Sequence, residues 1–226
     1  MVGRPSMNST LTKFAAAVAA SWLVASAQPS RAEDPAPKGD RPASVTVISP
    51  IFGQLVRFAM PQDFVTVFER TRGRNYIREA VPKGETTEHW TQMMTVTGVK
   101  GLTQFTPQGF ASAIGGGFKN ACPETFAAKD LGATKLGDQD AFVVVLACGK
   151  VNSSADGHSE MVLLVVAKGS ADGYTVQWAE RGPTQTTAPA IDDAKWQERL
   201  HALMPIRFCA IVAGEAPPYP SCLGQK

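Results

Sequence analysis

"AFVVVLACGKVNSSADGHSEMVLLVVAKGSADGYTVQWAERG" (residues 141–182) holds three valine-rich segments, 141–149, 160–169 and 173–182, joined by "KVNSSADGHS" and "SADG". β-branched side chains fit a pleated surface, and short polar connections with Asp-Gly reverse the chain. The three segments are therefore expected to form an antiparallel meander. The first two are almost continuously apolar, so both of their faces need cover; in the third, Tyr174, Val176 and Trp178 alternate with Thr175 and Gln177.

Two segments have the period of a covering helix. Upstream, Thr106 can cap, Pro107 takes the first turn, and Phe110, Ile114 and Phe118 recur every four residues as one apolar stripe. Downstream, Ile191, Ala194, Trp196, Leu200, Leu203 and Met204 mark a second helix that Pro205 stops. Gly115, Gly116 and Gly117 lie late in the first helical pattern, with Lys119 followed by Asn120. A phosphate loop needs its glycines between a strand and a helix start, followed by lysine and a hydroxyl, so the run is read as a helix end or a close-packing face.

Further toward the amino terminus, "SVTVISPIFGQLVRFAM" (44–60) reads as a short strand, a turn and a second strand over 55–59. "DFVTVFERT" and "NYIREAV" alternate on either side of "RTRGRN", which predicts a hairpin centred on Gly73. "KGETTEHW" turns the chain, with Thr86 or Thr87 able to cap a short helical turn, and "TQMMTVTGV" is another strand. The fold class that results is α+β: an antiparallel meander packed against two helices, sandwich-like and stabilised by disulfides.

Four cysteines and no Cys-x-x-Cys argue for two crosslinks rather than a redox centre or a zinc site. Cys122 follows the first helix and Cys148 closes the first meander strand. Cys209 and Cys222 flank the Pro-rich "AIVAGEAPPYPS". The expected pairs are Cys122 with Cys148 and Cys209 with Cys222. The compartment is expected to be oxidising. Lys13 precedes an apolar run from Phe14 to Ala25, and small residues follow, which is the order of a secretory signal peptide. The run is too short for the ~20 residues of a spanning helix. Cleavage is expected after Ala32, with Ala27 as second choice. The organisation read from this is a signal peptide over 1–32, a flexible Pro-rich arm over 33–43, and a single α+β domain over 44–226, located in a bacterial periplasm or secreted, with no stable membrane span after cleavage.

The chain has 22 basic and 20 acidic residues. The first 32 residues carry three of the basic ones, Arg4, Lys13 and Arg31, and no acid, so the mature chain is close to neutral. That balance gives no nucleic-acid footprint. No cofactor or metal motif is present in the sequence.

Two candidate sites follow. His89 stands beside Glu85 and Glu88, and would share a face with Glu85 if the segment were helical, giving a base for a small-molecule hydrolase. His158 lies in a turn and His201 on the last helix, where solvation accounts for them. The favoured alternative is non-catalytic: Arg70, Arg72 and Arg74 at the hairpin tip, flanked by Tyr76, Arg78 and Trp90, would recognise an envelope protein or an anionic ligand. Tyr219 is a second possible contact.

Overall fold

A computed structural model describes residues 43–151 and 157–224. Ten strands and three helices follow in the order β1 (Ser44–Ile51), β2 (Gln54–Pro61), β3 (Phe64–Arg72), β4 (Asn75–Pro82), β5 (Gln92–Val99), α1 (Pro107–Ala121), β6 (Phe126–Leu136), β7 (Gln139–Cys148), β8 (His158–Lys168), β9 (Gly173–Pro183), α2 (Asp193–Leu203), β10 (Arg207–Ala210) and α3 (Pro220–Leu223). They form two antiparallel sheets, one ordered β3-β4-β5-β9-β8-β7-β6 and the other β1-β2-β10. The α+β class is as read from the sequence. The expected signal peptide, and all of the arm except residue 43, lie outside the described residues.

The meander has a physical reason for its composition. Along β7 and β8, Val143, Val145, Leu163 and Val165 join a core with Val56 and Phe58 of β2 and Trp196 and Leu203 of α2. The alternate residues, Phe142, Val144, Leu146, Val162, Leu164 and Val166, join a second core under α1. Side chains alternate along a strand, so covering both faces demands apolar residues at every position. In β9, Tyr174, Val176 and Trp178 take the first core, while Thr175 and Gln177 point to the other face.

Local chemistry sets the helices. Thr106 Oγ1 accepts the Gly109 amide at 3.0 Å, and Pro107 opens α1. Gly115 presses against Leu146, with space for an added Cβ only 3.4 Å from Leu146 Cδ2, whereas Gly116 and Gly117 meet nothing within 4 Å. The glycine run therefore lies inside the helix, and only its first member has a packing role. Asp192 caps α2 by accepting the amides of Ala194 and Lys195.

Both expected disulfides are present, Cys122–Cys148 and Cys209–Cys222. A third constraint has no pattern in the sequence. Asp172, 4 % exposed, accepts the amides of Gly53 at 3.1 Å and Gly101 at 2.7 Å and the Tyr174 hydroxyl at 3.2 Å. One buried carboxylate thus joins the β1–β2 turn, the loop after β5 and the β8–β9 turn. Among the described residues, no helix is long and apolar enough to cross a membrane.

Three elements and one connecting segment depart from the sequence reading. β6 has no legible strand pattern, because Lys129, Asp130 and Lys135 break its apolar alternation. It is an edge strand, exposed along much of its length and bulged beside Gly132, whose φ is +106°. β10 and α3 are four residues each, too short to show a period. "KGETTEHW" forms turns and bends, not a helical turn. Thr86 Oγ1 does accept the His89 amide, at 3.1 Å, but the Thr86 amide in return donates to the His89 carbonyl at 2.9 Å, which closes a non-helical loop.

Candidate functional site

β3 forms one edge of the large sheet and, among the described residues, pairs only with β4. After a bulge between Thr66 and Phe68, the register is regular: Phe68 opposite Glu79, Arg70 opposite Ile77, Arg72 opposite Asn75. Phe68, Arg70 and Arg72 therefore share a face, the one on which α1 lies over β6, β7 and β8. The β3–β4–β5 part of that face lies beyond the helix. Val81 and Met93, at the end away from the hairpin tip, are buried in the second core; toward the tip its residues are exposed or half-buried, and Thr95, Thr97 and Gln177 continue it as a polar row. Arg70 and Arg72 are exposed, and among the described residues neither forms an ion pair.

Arg74 sits just past the turn. Its Nε donates to the Lys100 carbonyl at 2.7 Å and its carbonyl accepts the Lys100 amide at 2.8 Å. This ties the tip to the end of β5 and brings a fourth cation beside the three arginines. Glu79, two rungs along, is the nearest carboxyl in register on this face. Burial pushes its pKa up.

The two aromatic residues are placed otherwise than expected. Tyr76 alternates onto the opposite face, is buried in the first core, and donates its hydroxyl to Glu69 Oε1 at 2.7 Å. Burial first, and the Glu69 hydrogen bond second, push its phenol well above the ordinary value. Trp90 lies at the far end of the ladder: Asn75 opposite Val99 marks the tip end, Ala80 opposite Met94 the other, and Trp90 precedes β5 at that second end. Its ring carries the Arg181 guanidinium, 3.7 Å from the centroid. Trp90 is therefore no neighbour of the basic tip. The sequence order puts it near the tip, and the length of β4 and β5 takes it away.

His89 lines a different concavity, of about 470 Å³, with Glu85, Glu88, His158 and Arg181. The carboxylates there are engaged with the loop itself. Glu85 accepts both the amide and the hydroxyl of Thr91, each at 2.7 Å, and Glu88 accepts the Thr87 hydroxyl at 2.8 Å. That last bond is the main cause holding Glu88 below the usual carboxylate range, which suits a permanent anion and not a proton donor. Arg181 Nη1 donates to the Glu88 carbonyl at 3.0 Å, and His158 Nε2 lies 3.4 Å from Glu160 Oε2. Without the helix, Glu85 and His89 do not share a face. Among the described residues, no group of three or more His, Cys, Asp or Glu side chains is arranged to hold a metal ion.

The molecule is thus an α+β protein of two antiparallel sheets with a basic hairpin on an uncovered sheet face. No protein-family model matches the chain, and no curated protein does. Among solved structures, it is similar to the Saccharomyces cerevisiae Ran-binding protein Mog1p, at 7% identity and a TM-score of 0.42, over 70% of this chain and 92% of that one. A Mog1 point mutant gives 6% identity and a TM-score of 0.41, over 72% and 86%. A protein from Bacteroides thetaiotaomicron gives 13% identity and a TM-score of 0.34, over 71% and 46%. Likenesses this low carry no argument about what the chain does.

Proposed function

We propose that the chain is an exported, non-catalytic binding protein of the bacterial envelope, whose basic hairpin engages an acidic segment of a partner or another anionic ligand. The observation that supports this most is the pair Arg70 and Arg72 on the uncovered face of β3, with Arg74 and Lys100 at the tip and no ion pair holding either exposed arginine. Export is supported by the charged, apolar and small-residue order before residue 33 and by two disulfides, which suit an oxidising compartment.

Exposed charge attraction is screened over about 8 Å at physiological ionic strength. Capture of envelope partners by wild-type protein is therefore expected to fall by about tenfold or more when Arg70, Arg72 and Arg74 are all changed to Gln at low salt, and by much less at high salt. Stability is expected to change by less than about 0.5 kcal/mol per site, since the residues are exposed. Quantitative mass spectrometry of the captured proteins is the measurement; identical partners in identical amounts would sink the reading. Hydrolysis at the His89 region is less well supported, because Glu85 and Glu88 are engaged by Thr91 and Thr87. It would require His89→Ala to abolish turnover that the arginine changes leave intact.

A further inference from the structure

The segment closed by the Cys209–Cys222 disulfide folds beside β1, the edge of the small sheet, and a cleft of about 410 Å³ lies between them. One wall is apolar, made by Ile48, Tyr219 and Leu223. It is held in place by several independent contacts. Ile48 and Tyr219 pack on the buried disulfide. Arg57 Nη1 donates to the carbonyls of Cys222 at 2.9 Å and Leu223 at 3.2 Å, and Glu215 accepts the Ser221 amide at 2.7 Å and hydroxyl at 2.5 Å. Tyr219 itself has φ +57°, a left-handed conformation that a non-glycine residue keeps only when its surroundings impose it.

The other wall carries Glu69 and Arg78. These are direct cross-strand partners in the β3–β4 ladder, where opposite charges ordinarily attract, yet they form no ion pair. Glu69 is drawn to the Tyr76 hydroxyl, and Arg78 Nη1 donates to Ser49 Oγ at 2.6 Å, Ser49 being 4 % exposed. Each charge is anchored by its own neighbour, and each keeps hydrogen-bonding capacity beyond that anchor. The cleft is thus lined by a cation and an anion that are not paired with each other, together with the apolar side chains of Ile48, Tyr219 and Leu223.

We propose that this cleft binds a small apolar zwitterion, a free amino acid or a dipeptide, with its carboxylate on Arg78, its ammonium on Glu69 and its side chain against Tyr219 and Leu223. The volume is in the range of small-molecule sites. The proposal does not depend on the basic face of β3, which lies on the other side of the large sheet.

Titration calorimetry of the wild-type protein with leucine, leucylleucine and N-acetyl-leucine amide tests it. Binding of leucine identifies a free amino acid and binding of leucylleucine a dipeptide; in either case the doubly blocked amide, which lacks both charges, is expected not to bind. Glu69→Gln and Arg78→Met are each expected to weaken the zwitterion by about tenfold or more, the scale of one lost charge-assisted hydrogen bond. Tyr219→Ala is expected to weaken it while leaving the requirement for both charges. If Arg78→Met does not fold, the ligand series on wild-type protein still decides. No binding by either zwitterion at millimolar concentration, or equal binding of the blocked amide, overturns the proposal.

Discussion

Asp172 illustrates how much can rest on one side chain. It accepts two backbone amides and a phenol from chain segments far apart in sequence; the two amides belong to the exposed Gly53 and Gly101, and the phenol also lies 3.1 Å from the Ile51 carbonyl. Replacing it by alanine removes bonds to a charged acceptor, each worth about 1.5–3 kcal/mol, less what water at the two exposed glycines and the Ile51 carbonyl restore. Asp172→Ala is therefore expected to lower stability by about 2–4 kcal/mol in urea unfolding, with Asp172→Asn intermediate because it keeps one carbonyl acceptor. An unchanged urea midpoint for the alanine variant would remove Asp172 as a pin. Glu79 works in the opposite sense. Its folded-state pKa is raised by burial, so the folded chain holds that proton more tightly than the unfolded chain does. The associated stability is present below the unfolded value, about 4.3, and is lost as pH rises through the raised folded value. Glu79→Gln is expected to be more stable than wild type at neutral pH, with the difference closing as pH falls into the ordinary glutamate range. Unfolding midpoints measured from pH 4 to pH 7.5 give the comparison, and a gap that widens toward acid would contradict it.

Among the elements, α1 shows a sequence signal that is local and legible beside one that is not. Thr106, Pro107 and the Phe110–Ile114–Phe118 stripe specify the helix from nearest neighbours alone. Why three glycines stand in it could not be read, because the reason for the first, contact with Leu146, lies across the fold. Gly116 and Gly117 have no such contact. Gly116→Ala and Gly117→Ala are each expected to stabilise the protein by about 0.5–1 kcal/mol through helix propensity, and Gly115→Ala by less. Thermal unfolding of the three single variants checks the order, and a loss at Gly116 or Gly117 would contradict it. The same division holds elsewhere. The meander, the β3–β4 hairpin and the disulfide pairs follow from period, turn residues and spacing. β6 is not legible, because an edge strand needs no apolar face and is protected by charge and a bulge. The hairpin arginines were legible as a cluster, but Tyr76 and Trp90 were not separable from them. Whether an aromatic residue turns inward depends on strand parity, and its distance from a tip depends on strand length. The Glu69 and Arg78 pair had no sequence signal at all, since its meaning comes from Ser49, Tyr76 and the carboxyl-terminal loop.

For the molecule as a whole, the two crosslinks differ in what they restrain. Cys122–Cys148 joins the end of α1 to β7 inside the large sheet, whereas Cys209–Cys222 closes a peripheral loop. Chain-entropy reasoning assigns roughly 3–4 kcal/mol to loops of these lengths. Replacing Cys209 and Cys222 together by serine is expected to lower global stability by about that amount and, in addition, to open residues 211–221 to limited proteolysis under native conditions. Replacing Cys122 and Cys148 is expected to lower stability without that local cleavage. Equal protease resistance of the loop in both double variants would show that Arg57 and Glu215 suffice to hold it. The small sheet has its own dependence on the end of the chain. β2 lies between β1, which immediately precedes it, and β10, where Cys209 stands opposite Leu55. A polypeptide that emerges amino terminus first can close the β1–β2 hairpin early, but the other edge of β2 has no strand beside it until residues 207–210 arrive. Val56 and Phe58 therefore wait through most of synthesis for their final cover, and a chain that stops short of residue 207 never completes this sheet, however well its meander has formed.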